Sequence, residues 1–315
     1  MKKHKMGLLV MAYGTPYKDE DLIPYYTHIR NGKAPSEEMV AELKEKYDYI
    51  GGVSPLAEIT LKQANLLEKH LNEIQDIFEF EVYLGLKHIH PFIEDAVEKM
   101  KENGINEAVS IVLAPHYSTY SIEIYNKRAM GHSQKINGPM IYPINSWYDE
   151  PSFIEYWTMK INDILSQMTV SEKEKTMIIF SAHSLPEKIL QYHDPYPSQL
   201  QHSADLIAGE LGFAQYTIAW QSKGNTPESW LEPDVLDLTA ELHKSGFTSF
   251  IYAPIGFVSD HLEVLYDNDY ECFALTKQLN AKYYRPPMPN THPLFISSLA
   301  NSVLNEICKQ KKVAI

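Results

Sequence analysis

Leu8-Leu9-Val10-Met11-Ala12-Tyr13-Gly14-Thr15-Pro16 sets the reading of the chain. An unbroken apolar run closed by Gly and Pro reads as a strand buried on both faces that stops at the carboxyl edge of a sheet. The pattern returns 170 positions later as Ile178-Ile179-Phe180-Ser181-Ala182-His183-Ser184-Leu185-Pro186, with His183 standing where Tyr13 stood. A second echo joins Val112-Leu113-Ala114-Pro115-His116-Tyr117-Ser118 to Ile251-Tyr252-Ala253-Pro254-Ile255-Gly256-Phe257, 139 positions on. Both echoes point to two similar halves.

Further β-rich runs at 78–86, 140–145, 216–220 and 281–284 alternate with helical patterns. Ser36 precedes a Met39, Leu43, Tyr47 stripe, and Ser54-Pro55 opens a segment with Ala64, Leu67, Leu71 and Ile74 on one face. Ser198 with Gln201 reads as a capping box, while Gly212 and Gly246 stand where helix C-caps want positive φ. Alternating strand and helix predicts the α/β class: two similar Rossmann-like lobes, each a four-stranded parallel sheet flanked by helices. The expected division is 1–148 and 149–315, with the final helix able to cross back to the first lobe and a ligand cleft between the two.

The chain of 315 residues is 44% apolar and 22% charged, which suits a large core and excludes disordered, collagen-like and disulfide-scaffold classes. Its 41 acidic and 28 basic residues leave a formal charge of −13, a field that repels nucleic acid and anionic lipid. Cys272 and Cys308 stand far apart with no CxxC, which argues against an iron–sulfur cluster, a cysteine zinc site or a disulfide. Lys2, Lys3 and Lys5 before Met6 to Ala12 imitate a signal peptide, but the apolar run is short and lacks a cleavage pattern, so a buried first strand is the better reading. No run approaches the ~20 apolar residues of a membrane helix, and a soluble cytoplasmic protein is expected.

Ligands of open parallel sheets bind beyond the carboxyl ends of strands. The residues there are Tyr13, Lys87 with His88 and His90, His116, His183 with Ser184, Gln221 with Ser222, and the stretch 256–263. His183 would project into the cleft as ligand or base, or merely cap a turn; no GxSxG or HExxH accompanies it, so hydrolase geometry is missing. Asp260, Glu263, Asp267 and Glu271 fall at offsets of three, seven and eleven, one face of a helix, with no Lys or Arg within the segment. Such a row suits a hydrated divalent cation, the plain alternative being a solvated acidic surface. Tyr25, Tyr26, Arg30, Lys33, Lys44, Lys46, Tyr47 and Tyr49 interleave rings and cations that could stack a flat ring and pair its carboxylates, or simply belong to amphipathic helices.

Together the strings GLLVMAYGTP, GGVSPL, GLKHIHPFIEDAV, VLAPHYS, IIFSAHSLPEKILQYHDPYP, WQSKGNTPESWLEPD and GFVSDHLEVLYDNDYE resemble, in order and over nearly the whole chain, the ferrochelatase family in its soluble Bacillus type that acts on coproporphyrin III. The resemblance implies a monomeric metal chelatase of the lyase class. It would take Fe2+ as substrate, insert it into the macrocycle with release of two protons, and hold no tightly bound cofactor or iron–sulfur cluster. A transient contact with the enzyme receiving the product goes with that role.

Carried over by position, His183 and Glu263 match the family's metal and proton-transfer pair, and Tyr13 the residue axial to iron. Arg30, Lys46, Tyr47, Ser54 and Tyr125 match porphyrin contacts, to which Lys87 and His88 are added from their place after the second strand. Asp267 and Glu271 match outer carboxylates for a hydrated cation such as Mg2+. Three positions depart from the pattern: Lys46 stands where arginine is expected, Asn31 where a second base is common, and His193 where glycine or asparagine is usual. A tetrapyrrole or haem carrier, or a cobalt chelatase of the same fold, would use the same cleft.

Overall fold

The computed structural model describes residues 3–311; Lys2 of the basic run lies outside them. The opening apolar run is β1 (His4–Ala12), buried from Met6 onward. It pairs in parallel with β2 (Phe78–Leu86) on one side and β3 (Glu107–Val112) on the other, and β4 (Met140–Pro143) completes the order β2-β1-β3-β4. A second parallel sheet is built the same way from β5 (Thr176–His183), β6 (Tyr216–Gln221), β7 (Ser249–Ala253) and β8 (Lys282–Tyr284), in the order β6-β5-β7-β8. Tyr13 directly follows the first strand of one sheet, and His183 ends the first strand of the other.

Between β1 and β2 lie α1 (Leu22–Ile29), α2 (Glu37–Tyr49) and α3 (Leu56–Ile74). The Ser36 hydroxyl accepts from the Met39 N–H at 3.2 Å, and that of Ser54 from Leu56 at 3.3 Å, so both helix starts follow the sequence signal. Two helices, α4 (Ile93–Glu102) and α5 (Ile122–Ile136), cover one face of the first sheet. Its other face meets α3 and α12 (Pro293–Lys311), so the final helix packs on elements of both halves, α3 and β3 as well as α6 (Pro151–Leu165). The second half continues with α7 (Val170–Lys173), α8 (Tyr196–Leu211), α9 (Val235–Lys244), α10 (Leu262–Leu265) and α11 (Phe273–Gln278).

One apolar core runs between the sheets. Leu8, Val10, Val109 and Ile111 of the first join Ile178, Phe180, Ile251 and Ala253 of the second through Phe153 and Trp157 of α6 and Phe295 and Leu299 of α12. Each large side chain so buried contributes about 1.5–3 kcal/mol, and the shared core binds the halves into one body. One helix start differs from expectation. α8 begins at Tyr196, whose N–H is taken by Asp194 Oδ1 at 3.0 Å, and the Ser198 hydroxyl donates back to the Pro195 carbonyl instead of forming a capping box. Proline at the first turn sets the start three residues early, with Pro195 instead of Ser198 in the capping position.

Candidate functional site

A cleft of about 580 Å3 opens between the two carboxyl edges, within the size range of small-molecule sites. The first half contributes Tyr13, Lys46, Tyr47, Ser54, Lys87 and Tyr125 to its walls, and the second contributes His183, Ser222, Trp230, His261, Glu263 and Asp267. The tight exit of β5 depends on Gly256: a Cβ there would fall 2.3 Å from that of Ala182, so no other residue lets the loop after β7 pass so close to the strand that carries His183.

His183 Nε2 stands 3.5 Å from Glu263 Oε1. The Nδ1 of the same ring faces the Ser184 carbonyl, which can only accept, so Nδ1 carries a proton and Nε2 is the atom presented to Glu263. The other carboxylate oxygen has a partner not evident in the sequence. That partner is His261, whose Nε2 lies 3.6 Å from Glu263 Oε2 while its Nδ1 faces the Ser259 carbonyl at 3.1 Å. The His-x-Glu spacing was the only hint of it.

Burial works against a charged His183, but the Glu263 carboxylate and the Ser184 carbonyl outweigh it and hold the imidazole above its usual pKa. Burial likewise opposes ionised Glu263, and the two flanking imidazoles hold it far below the usual carboxylate range. Tyr13 projects into the cleft from the opposite edge, 42% exposed to water there, yet the surrounding protein and then the Glu263 charge push its phenol well above the usual range. Lys87 lies 5.6 Å from the centre of the Tyr13 ring and 5.2 Å from that of Tyr125; burial and then Arg128 lower its ammonium to about 8.

The remaining predicted residues divide. Tyr47 is buried, its hydroxyl 3.1 Å from that of Thr15, and Ser54 is buried at the start of α3; both line the cleft. His88 does not. Its ring packs behind Tyr13 with centroids 4.5 Å apart, and its Nδ1 is 2.9 Å from that of His28. Burial, then Lys87, keeps this imidazole uncharged, with its pKa lowered to about 3. Arg30 is not a lining residue either: it ends α1, where its guanidinium donates to the Lys33 carbonyl at 3.3 Å. From the same aromatic and cationic group, Lys44 pairs with Asp19 at 2.5 Å, and Tyr49 packs on Tyr270 with centroids 4.3 Å apart.

The four-carboxylate row is broken. Asp260 precedes α10 and accepts from Asn290 Nδ2 at 2.6 Å, with Arg285 3.5 Å away. Beyond α10 the chain makes a π turn (Asp267–Cys272), in which the Glu271 N–H reaches back five residues to the Tyr266 carbonyl. Asp267 lines the cleft and accepts from the Ser222 hydroxyl, whereas Glu271 is not part of the lining. The positive charge missing from the segment comes from elsewhere: Lys46 of α2 sits 4.8 Å over the Tyr266 ring, and its charge acts on both Asp267 and Glu271. Burial and then Glu263 raise Asp267 to about 7 in spite of these partners.

His183 and Glu263 offer a borderline nitrogen and a hard oxygen, a donor pair for a first-row divalent cation that leaves its other coordination positions open. Among the described residues no group of three or more His, Cys, Asp or Glu is assembled to hold a metal ion, and no helix is long and apolar enough to cross a membrane.

The chain as a whole is similar to known proteins. A family model described as ferrochelatase matches residues 5–307. A protein of Geobacillus sp. (strain WCH70) named coproporphyrin III ferrochelatase is 61% identical over 308 residues, 98% of this chain and 99% of that protein. One of Bacillus subtilis (strain 168) with the same name is 57% identical over 308 residues, covering 98% and 99%. The crystal structure of the sirohydrochlorin chelatase SirB from Bacillus subtilis subspecies spizizenii, in complex with cobalt, aligns with a TM-score of 0.62 at 11% identity, over 98% of this chain and 97% of that one. At that identity the likeness is one of fold.

Proposed function

The chain belongs to the ferrochelatase family, and from that premise we propose that it inserts Fe2+ into coproporphyrin III, with His183 and Glu263 as the group that receives the metal and the displaced protons. The observation that carries this reading is the 3.5 Å contact between the two side chains at a cleft wall, with Tyr13 presented from the opposite edge. A lobe division at 148/149, the first lobe bearing Tyr13 and the second the pair, goes with it.

Insertion replaces two pyrrole N–H bonds with metal–nitrogen bonds and releases two protons, so the site must hold a cation and accept protons at one place. Before the metal arrives the imidazole and carboxylate share a proton. Fe2+ displaces that proton to solvent, and Nε2 with a Glu263 oxygen replaces water ligands. As the metal passes into the ring, the two freed atoms each take one pyrrole proton, and the loss of one of these to solvent restores the resting pair, so two protons leave per turnover. Asp267, with Glu271 behind it, is a stage for the hydrated cation, Fe2+ on its way in or Mg2+ at rest, and Lys46 is the tethered charge it displaces. Tyr13 meets the iron on the face away from His183, and Lys46 and Lys87 are the cations within reach of the propionates.

The test is anaerobic mixing of Fe2+ with coproporphyrin III, followed by absorbance. His183→Ala is expected to lower the insertion rate about 100-fold or more while fluorescence titration gives unchanged porphyrin affinity. Wild-type insertion by that variant would remove the assignment.

A further inference from the structure

Gln221 touches the support of both members of the pair without facing a ligand. It closes β6, is only 1% exposed, and lies opposite His183 in the β5–β6 ladder. Its backbone carbonyl accepts the Ser184 N–H at 2.7 Å, so the turn whose carbonyl orients His183 Nδ1 hangs on this residue. The side-chain amide nitrogen donates to the Glu263 carbonyl at 2.9 Å and to Asn268 Oδ1 at 3.2 Å. The amide oxygen accepts from the Ser181 hydroxyl at 2.7 Å and from Asn268 Nδ2 at 3.2 Å. The Glu263 carbonyl can only accept, so the amide orientation is fixed, and all its donors and acceptors are occupied.

We propose that Gln221 is the positioning residue that sets the separation of His183 and Glu263, coupling the end of β5 to the α10 and π-turn segment through one fully bonded amide. His183 and Glu263 lie 80 residues apart in the chain, on different elements. Gln221 bonds directly to the main chain of both segments, at Ser184 and at Glu263. A misplacement of about 1 Å at such a pair is enough to cost about 100-fold in rate.

The proposal rests on the pair being the reacting group, and the experiment separates the two ideas. Gln221→Met keeps length and apolar bulk but removes the amide. Its kcat for iron insertion is expected to fall about 10- to 100-fold with the coproporphyrin III KM within about twofold of wild type, and its crystal structure to show the two side chains further apart than 3.5 Å. An unchanged separation overturns the positioning role whatever the rate does. A loss seen in KM alone overturns it too. A widened separation with wild-type kcat supports the positioning role and removes instead the catalytic reading of the pair. Ser181→Ala, which deletes only the hydroxyl anchoring the amide, serves if Gln221→Met does not fold. It is expected to lose kcat several-fold with KM unchanged and to widen the separation in its crystal structure, and wild-type separation in that variant overturns the proposal.

Discussion

Asp267 illustrates how far a single side chain is governed by its surroundings. Folding takes it out of water beside the Glu263 charge, and its pKa rises from 3.8 to about 7. The folded chain therefore holds this proton more tightly than the unfolded chain, so the associated stability is full below about pH 4 and is withdrawn as pH rises through about 7. Asp267→Asn keeps an oxygen for the Ser222 hydroxyl and cannot ionise. Its melting temperature relative to wild type should be higher at pH 8 than at pH 5; the same difference at both would mean the carboxyl is not held out of water. Tyr13 and His183 were legible as cleft residues because each directly follows or ends a buried apolar strand. The partners of the acidic residues were not, because Lys46 and Arg285 lie far from them in sequence and only the tertiary fold brings their charges in. His88 was misplaced for a related reason: alternation at a strand end does not say whether a ring enters the cleft or turns behind its neighbour.

Local backbone geometry bears on His193, which was expected to stand where glycine or asparagine is usual. A 3-10 turn (Glu187–Tyr192) ends at His193, which adopts φ +53° and ψ +37°, the left-handed region that glycine and asparagine tolerate best. His193 is exposed, so nothing buried depends on the imidazole. His193→Gly should leave iron insertion unchanged and raise the free energy of unfolding by up to about 1 kcal/mol in urea titrations, while a loss of stability would show that the ring makes a contact worth more than the strain. Strands were the most legible elements, since two-sided burial writes itself as an unbroken apolar run. The π turn was not legible. An α-helical wheel puts Asp260, Glu263, Asp267 and Glu271 on one face, but the start of α10 after Asp260 and the extra residue in the turn rotate them apart. Proline chemistry at the start of α8 likewise overrode the Ser198 signal.

At the scale of the molecule, the same strand order is built twice, and the shared core between the sheets lets two carboxyl edges form one cleft. The repeat offset of 170 residues foreshadowed this arrangement, because Tyr13 directly follows one strand and His183 ends its equivalent. Their facing across the cleft was beyond periodicity, since it depends on how α6 and α12 set one sheet against the other. On this reading a flat macrocycle lies between those two edges, with the proton-accepting pair on one face and the phenol on the other. The crystal structure of the protein with iron coproporphyrin III tests it most directly. Iron is expected within bonding distance of the Tyr13 oxygen, with His183 and Glu263 facing the opposite side of the ring; a macrocycle lodged elsewhere, or with the pair and Tyr13 on the same face, would contradict this arrangement.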